Sequence, residues 1–179
     1  MKKAFTMLEL VFVIIVIGIL AAVIIPSTRT NPAQEAAIQL ISHIRYTQHL
    51  AMIDDKYDAT NTNWFLNRWQ IRFTGNTYSI AADGIANTFA VNPSNSATNL
   101  QNINLDADYS VSISYNAASS CPGPNTIISF DNLGRPLVGA LATNYGQLMT
   151  APCQITLTSG TETVDINITQ ETGYAQISF

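Results

Sequence analysis

The chain divides near residue 29 into two segments with different patterns of hydrophobic and polar residues. Residues 10–25, LVFVIIVIGILAAVII, contain no polar side chain, and the apolar stretch as a whole runs from Phe5 to Ile25. A helix of that length would extend about 31 Å, which matches the roughly 30 Å hydrocarbon core of a bilayer. A sequence that is apolar on every side is typical of a helix surrounded by lipid. The pattern predicts a membrane-spanning helix over residues 5–25.

Charged residues at the start of the chain orient this predicted helix. Lys2 and Lys3 precede the apolar stretch, and basic residues beside a membrane span favour the cytoplasmic side. The N-terminus is therefore expected to remain in the cytoplasm while the rest of the chain is exported. Pro26 ends the apolar run and would bend a helix that continued through it.

Glu9 interrupts the apolar stretch and requires an explanation. A carboxylate at bilayer depth costs about 2.5–3.5 kcal/mol on insertion scales, so such an acid indicates a functional site with a cationic partner. Residues 5–28 contain no basic side chain. The partner is expected to come from another molecule, or from an amine that processing of the chain creates.

The second helix is predicted over residues 33–53, after Asn31-Pro32. Apolar residues recur there at intervals of three and four, which is the spacing of one helical face. The predicted apolar stripe comprises Ala37, Leu40, Ile41, Ile44 and Ala51. The residues expected to point largely outward are Glu35, Gln39, Arg45 and Gln48. The stripe should pack on a globular head, and Asp54-Asp55 should end the helix.

From residue 56 onward the hydrophobic period changes to two, which indicates β-strands. Trp69, Ile71 and Phe73 alternate with polar residues, and Gly75-Asn76 marks a turn before the next strand. Further strands are predicted at 111–115, 126–130, 154–158, 164–169 and 174–179. Residues 87–104 are rich in Asn, Ser and Thr and are expected to form a surface loop. This pattern predicts an antiparallel head with one buried and one solvated sheet face.

The composition excludes several classes of protein. Charged residues make up only 11% of the chain, against about 25% in typical soluble domains. The net charge of −4 argues against a broad electrostatic nucleic-acid binder, and a hydrophobic content of 47% suffices for a core. Two cysteines and two histidines exclude a disulfide-dense miniprotein and leave little for a metalloenzyme.

The start of the chain resembles the signal of a filament-forming family. The run Ala4-Phe5-Thr6-Met7-Leu8-Glu9-Leu10, followed by an apolar helix and Pro26, is similar to the class III signal of type IV pilins and type II secretion pseudopilins. The resemblance implies that a membrane aspartyl peptidase cuts the Ala4–Phe5 bond and methylates the new amine. It also implies that Glu9 pairs with the N-terminal amine of a neighbouring subunit, which would supply the missing cation. The family usually has Gly where this chain has Ala4.

Two segments of the predicted head add to this resemblance. Residues 130–136, FDNLGRP, look like the F-x-x-x-G-x-P segment of GspH/FimT-type minor pilins. Residues 166–175 resemble the closing I-x-I…T-G hairpin of that family, although Tyr174 stands where the family often has Arg. These matches favour a minor, GspH/FimT-like subunit over a major pilin.

Two plainer interpretations of the N-terminus remain open. An ordinary secretory signal peptide would have the two lysines and an apolar core, with cleavage near Ala21-Ala22. Such a core normally runs about 7–15 residues and lacks an acid. A plain membrane anchor would explain the length of the stretch but not Glu9.

Cys121 and Cys153 are expected to form a disulfide in an exported head. The bridge would close a loop of about 32 residues, worth roughly 3–4 kcal/mol in the chain-entropy model. Two free buried thiols are the alternative. A redox site is not expected, because the chain has no C-x-x-C motif.

Catalytic or metal-binding apparatus is not evident in the sequence. His43 and His49 are six residues apart, so on a helix they point about 240° apart and cannot chelate one ion together. Asp106-Ala-Asp108 lacks the further oxygens that a calcium loop requires. No Ser/His/acid set or phosphate-binding loop occurs in a usable order. The sequence therefore predicts a protein that is not an enzyme and holds no cofactor or metal.

A nucleic-acid-binding role is the alternative function. Trp64, Arg68, Trp69 and Arg72 cluster in sequence, and aromatic and arginine side chains can stack on single-stranded nucleic acid. FimT-like pilins act in natural transformation, so the resemblance implies a DNA-binding competence pilin as the alternative function. Against it, Trp69 shares its predicted strand face with Ile71 and Phe73, which indicates a core position.

These observations predict an α+β protein, in which a long N-terminal hydrophobic α-helix of the pilin kind packs on an antiparallel β-sheet head. The predicted parts are a leader at 1–4, a membrane and filament-core helix at 5–25, an amphipathic continuation at 26–55 and a periplasmic head at 56–179. The expected function is a structural subunit of a type II secretion pseudopilus or a type IV pilus. It would reside in the bacterial inner membrane and then in the filament. Its expected partners are other subunits, the prepilin peptidase and the inner-membrane assembly platform.

Overall fold

The computed structural model describes residues 6–27, 31–82, 88–116, 118–121, 123, 125–139 and 147–178, with side chains of the first helix described as far as residue 21. The chain divides into two compact units, Met1–Asn31 and Pro32–Phe179. Each unit has its own architecture. Together they confirm the predicted α+β class with antiparallel sheets.

The first unit consists of one helix, α1, which spans Met7–Ser27. Thr6 precedes it, and the Thr6 hydroxyl oxygen accepts a hydrogen bond from the Glu9 backbone N–H at 3.3 Å. This is the geometry of an N-cap, which satisfies one of the free donors of the first turn. Among the helices of the described residues, none combines the length and apolarity needed to cross a membrane. The predicted leader, Met1–Ala4, and Phe5 lie outside the described residues.

The second unit is organised around helix α2, Pro32–Ile53. Proline is favoured at a first helical position because its missing N–H would be unpaired there in any case. The predicted stripe is confirmed, since each of its members is almost fully buried: Ala37, Leu40, Ile41, Ile44 and Ala51. The prediction that Gln39 and Gln48 point largely outward is wrong, because both side chains are half-buried.

Within the described residues, twelve β-strands form two sheets and one separate hairpin, all with antiparallel pairing. The first sheet has the order β3-β2-β1-β8-β9, and β6 also pairs with β2. Its strands are β1 (Gln70–Thr74), β2 (Thr77–Ala82), β3 (Thr88–Phe89), β6 (Ile103–Asn104), β8 (Ile127–Phe130) and β9 (Pro136–Val138). The second sheet has the order β12-β11-β10-β7. Its strands are β7 (Ser112–Tyr115), β10 (Cys153–Ser159), β11 (Glu162–Ile168) and β12 (Ala175–Ser178).

The core of the second unit lies where α2 packs against strands of both sheets. Alternation along β1 buries Ile71 and Phe73, as the period of two predicts. The same alternation along β10 and β11 buries Ile155, Leu157 and Ile166. One helix therefore covers the inner faces of two sheets, where the sequence had predicted a single sheet.

The segment predicted as a surface loop, 87–104, contains regular structure in its described part. It supplies β3 and β6 to the first sheet, and it forms a hairpin of β4 (Val91–Asn92) and β5 (Asn95–Asn99). Ala90 and Leu100 are buried, and their backbone groups bond to each other and to Ile80. A short helix, α3 (Leu105–Tyr109), follows and is capped by the Asn104 side chain. These backbone pairings replace the predicted loop.

Candidate functional site

The carboxylate of Glu9 lies in the first turn of α1 and is exposed. An acid at this position is stabilised by the partial positive charge of a helix N-terminus. That interaction is worth less than about 1 kcal/mol at an exposed site, which is below the cost of placing a carboxylate in lipid. Among the described residues Glu9 has no ionic partner. Ala4 and Phe5, the residues predicted to be processed, lie outside the described residues.

The apolar side chains of α1 are uncovered on every side of the described helix. Met7 and Leu8 are more than 80% exposed, and Phe12 is 65% exposed. The exposed fraction stays above one third for the larger residues through Leu20. Because burying apolar surface is favourable at roughly 25 cal/mol per Å², apolar surroundings would stabilise these uncovered side chains.

The FDNLGRP segment, residues 130–136, forms the turn between β8 and β9. The Asp131 carboxylate is buried and accepts hydrogen bonds from the backbone N–H groups of Leu133 and Arg135 at 3.0 and 2.8 Å. It also accepts one from Arg135 Nε at 2.7 Å. Gly134 has a φ of +79°, a backbone conformation that favours glycine. This motif therefore builds a rigid turn.

The second segment of the predicted resemblance, residues 166–175, closes the hairpin between β11 and β12. The Gly173 N–H donates to the Thr169 carbonyl at 3.1 Å, and Gly173 has a φ of +66°. The hydroxyl of Thr169 lies 2.6 Å from that of Thr172. The T-G pair thus fixes a tight turn at one end of the second sheet.

The two turns meet at a place that we call the glycine junction, formed by Gln48, Gly134, Thr172 and Gly173. Gln48 Nε2 donates to the carbonyl oxygens of Gly134 and Thr172, both at 2.8 Å. A β-carbon added to Gly173 would lie 2.8 Å from the Gly134 oxygen and 2.9 Å from Gln48 Nε2. The junction therefore joins α2 to the turns of both sheets. The spacing of hydrophobic residues along α2 did not predict that the Gln48 side chain makes these hydrogen bonds.

Cys121 and Cys153 are bonded in the structure, with their α-carbons 5.1 Å apart. Both residues are fully buried. Cys153 is the first residue of β10, and Cys121 lies between β7 and β8 in the chain. The bond therefore ties that part of the chain to the second sheet.

A buried histidine–tyrosine pair connects α2 to the first sheet. His43 Nδ1 lies 2.7 Å from the Tyr78 hydroxyl, and both side chains are largely shielded from solvent. Burial lowers the pKa of His43. Burial also raises the pKa of Tyr78 well above its ordinary value, with smaller contributions from Tyr109 and Asp108. The tyrosine therefore keeps its proton and can donate it to a neutral imidazole.

The lowered pKa of His43 predicts that the stability of the head depends on pH. Because the folded pKa of His43 lies below the ordinary value of about 6.5, the unfolded chain binds a proton more readily than the folded one. The contribution of His43 to the free energy of unfolding should be fully present above pH 6.5 and should decrease as the pH falls below that value, because the unfolded chain then takes up a proton that the folded chain binds less readily. Urea unfolding of the full chain at several pH values measures this slope. His43→Gln should flatten the slope, and the exposed His49 provides the control in His49→Gln. If the free energy of unfolding of His43→Gln changed with pH as steeply as that of the unmodified chain, the pH dependence would come from other groups.

The predicted aromatic and basic cluster is not a single surface. Arg68 is 4% exposed and lies 4.7 Å from the centre of the Trp64 ring. Trp69 is 9% exposed, as its predicted core position requires. Arg72 lies on the opposite face of β1 from Ile71 and Phe73. Stacking on a nucleic acid needs exposed ring faces, and this arrangement offers few.

Within the described residues, no group of three or more His, Cys, Asp or Glu side chains is placed to hold a metal ion. Asp106 and Asp108 lie in α3 rather than in a ligand loop. His43 is buried against Tyr78 while His49 is exposed, so the two histidines do not converge.

Comparison with known proteins gives no relative from which a function could be transferred. No protein-family model, curated protein or solved structure matches the chain.

Proposed function

We propose that this protein is a subunit of a type IV pilus or a type II secretion pseudopilus, of the GspH/FimT-like minor kind. The observation that carries the proposal is an uncovered apolar helix with one acid near its start, joined in sequence to a head that has its own core. A filament whose axis is a bundle of such helices would bury their apolar surface while the heads face outward. In this proposal the head would contact other proteins and would not catalyse a reaction.

The proposal assigns two environments to α1 in succession. Before assembly the stretch 5–25 would hold the subunit in the inner membrane, with the head in the periplasm. After assembly the same apolar surface would pack against neighbouring helices. Glu9 would pair with the Phe5 amine of an adjacent subunit, because a carboxylate in an apolar environment is stabilised only by a cation or strong hydrogen bonds. The pair would also set the axial register of one helix against the next.

The architecture of the head supports this assignment. The disulfide ties Cys121 to the second sheet, and the glycine junction ties α2 to the turns of both sheets. A disulfide of this kind would stabilise a head that is exported to an oxidising compartment. The two sequence segments that resemble those of minor pilins form the two turns of that junction, where Gln48 bonds to both.

Processing of the N-terminus tests the proposal directly. If a prepilin peptidase cuts the Ala4–Phe5 bond, the 179-residue chain loses four residues, and the 175-residue product begins at Phe5 with a methylated amine. Intact-mass measurement of the protein extracted from membranes of its own host should give that mass. Ala4→Leu should retain the leader, because a bulky side chain beside the bond hinders its access to the peptidase. A start near Val23 would identify an ordinary secretory signal peptide and would overturn the assignment.

A further inference from the structure

A cleft in the head lies between the end of α2, the segment after it and the turn that follows β8. Its volume is about 440 Å³, within the range of roughly 300–1,000 Å³ that small-molecule sites occupy. Four of its lining side chains are aromatic: Tyr57, Trp64, Trp69 and Phe130. The polar lining residues are Asp54, Asp55, Lys56, Arg68, Asp131 and Asn132. Trp69 and Phe130 are buried, so the accessible aromatic surface comes from Tyr57 and the half-buried Trp64. Together with the polar groups, this surface indicates a binding site for a ligand that has both apolar and polar faces.

The walls of the cleft are fixed without a ligand. The Trp69 indole N–H donates to Asp54 Oδ2 at 2.9 Å, and Lys56 Nζ lies 5.6 Å from the centre of the Trp69 ring. The Arg68 guanidinium lies against one side of the Trp64 ring. Side chains held by their own contacts lose little entropy when a ligand arrives, so the cleft is preorganised for binding.

The charges in the cleft and directly behind its wall are balanced. Asp54 forms an ion pair with Lys56, and Asp131 forms one with Arg135 behind the wall. The lining itself contains three carboxylates, those of Asp54, Asp55 and Asp131, and two cations, those of Lys56 and Arg68. Arg135 lies outside the lining and neutralises Asp131, so the cleft and its immediate surroundings carry no net charge. A strongly charged ligand would therefore meet no net opposite charge. A purely apolar ligand would strip water from the ionised groups at a cost that its burial does not offset.

The groups nearest the opening are suited to hydroxyl groups. Tyr57 is 63% exposed and stands edge-on to Trp64, with ring centres 5.1 Å apart. Asp55 and Asn132 are also exposed and place a carboxylate and an amide beside these rings. A carboxylate accepts two or more hydrogen bonds, and an amide both donates and accepts.

We propose that this cleft binds a neutral saccharide. A sugar ring presents an apolar C–H face that can pack on an aromatic ring and a rim of hydroxyl groups that bond to carboxylate and amide groups. The proposal does not depend on filament assembly, because the cleft lies wholly within the second unit. If the chain is also a filament subunit, the filament would carry a saccharide-binding head.

Intrinsic fluorescence provides a direct test, because the only two tryptophans of the chain, Trp64 and Trp69, both line the cleft. The full chain would be purified in a detergent without a sugar headgroup and titrated with chitotetraose, cellotetraose and maltotetraose. We expect a saturable change in tryptophan emission with at least one of these probes. Isothermal calorimetry with the same probe should give the same dissociation constant.

Two variants on the rim test the location. Tyr57→Ala and Asn132→Ala should each weaken binding about tenfold or more, since each removes one of the contacts that a sugar would make. Both residues are exposed, so the melting temperature of the head should not change. Tyr174→Ala, which removes a 54% exposed aromatic ring outside the cleft, is the matched control and should bind normally.

Three outcomes would overturn the inference. The first is the absence of a saturable response to all three probes, in both fluorescence and calorimetry, up to about 10 mM. The second is an equal loss of binding in Tyr174→Ala, which would place the site elsewhere. The third is a response to a single-stranded oligonucleotide and to none of the saccharides, which would assign the cleft to a nucleic acid.

Discussion

Glu9→Ala is expected to remove the chain from the assembled filament while leaving the head folded. The carboxylate costs about 2.5–3.5 kcal/mol in an apolar environment, so its removal should leave membrane insertion intact or slightly improved. The loss should appear only at assembly, where the Phe5 amine of an adjacent subunit would have no partner. A desolvated charge left without its partner costs about 3–5 kcal/mol, enough to reduce incorporation at least a hundredfold. The ratio of chain in sheared filaments to chain in membranes measures this effect.

Two further variants separate charge from shape and position. Glu9→Gln keeps the shape and loses the charge, and it should be nearly as defective as Glu9→Ala. Glu35→Ala removes an exposed acid from the first turn of α2 and should incorporate normally. Processing at Ala4–Phe5 should continue in all three variants. Normal incorporation of Glu9→Ala would remove the assembly mechanism proposed here.

Gly173→Ala is expected to destabilise the head more than any other single glycine substitution at a described turn. The alanine would have to keep a φ of +66°, which costs about 1–2 kcal/mol. Its β-carbon would also meet the Gly134 carbonyl oxygen and the Gln48 amide within 3 Å. Displacing packed atoms typically costs a further 1–3 kcal/mol. Urea unfolding of the full chain should therefore show a loss of about 2–5 kcal/mol, the sum of these two contributions.

Gly160→Ala is the matched control for this prediction. Gly160 has a φ of +59°, but a β-carbon added there would have no atom within 4 Å. The control carries the backbone strain without the collision, so it should cost only about 1–2 kcal/mol. Equal losses in Gly173→Ala and Gly160→Ala would show that the glycine junction tolerates a side chain and is not a tight contact.

The sequence predicts well those elements in which buried residues recur at a regular interval along the chain. The stripe from Ala37 to Ala51 marks α2 because every third or fourth residue meets the sheets. Ile71 and Phe73 mark β1 for the corresponding reason at a period of two. The predicted strands from 111 onward fall within one or two residues of the observed ones, because each shows enough alternation to reveal its buried face.

Other elements depend on contacts that a local pattern does not contain. Strands β3, β4 and β6 have two residues each, which is too short for a period to appear. Strand β5 is exposed along its whole length, so its Asn, Ser and Thr residues look like a loop. Gln48 looks like a solvent-facing helix residue, because its two acceptors lie 86 and 124 positions further along the chain.

One candidate site can be recognised from the local sequence, and the other depends on contacts between distant parts of the chain. Glu9 can be identified from the sequence because the cost of an isolated acid in an apolar stretch is a local property. The cleft cannot, because its lining comes from α2, the segment 54–69 and the turn after β8. Arg68 shows the difficulty, since a basic residue beside two tryptophans looks available for a ligand but is buried under Trp64.

The most direct test of the central claim is to locate the mature chain in the cell. Filaments would be sheared from the host that naturally carries this protein, separated from membranes, and analysed by quantitative mass spectrometry. We predict that the filament fraction contains the chain beginning at Phe5, and that the Glu9→Ala strain lacks it there while retaining it in the membrane. A chain confined to the membrane or the periplasm, in cells that assemble normal filaments, would contradict its assignment as a filament subunit.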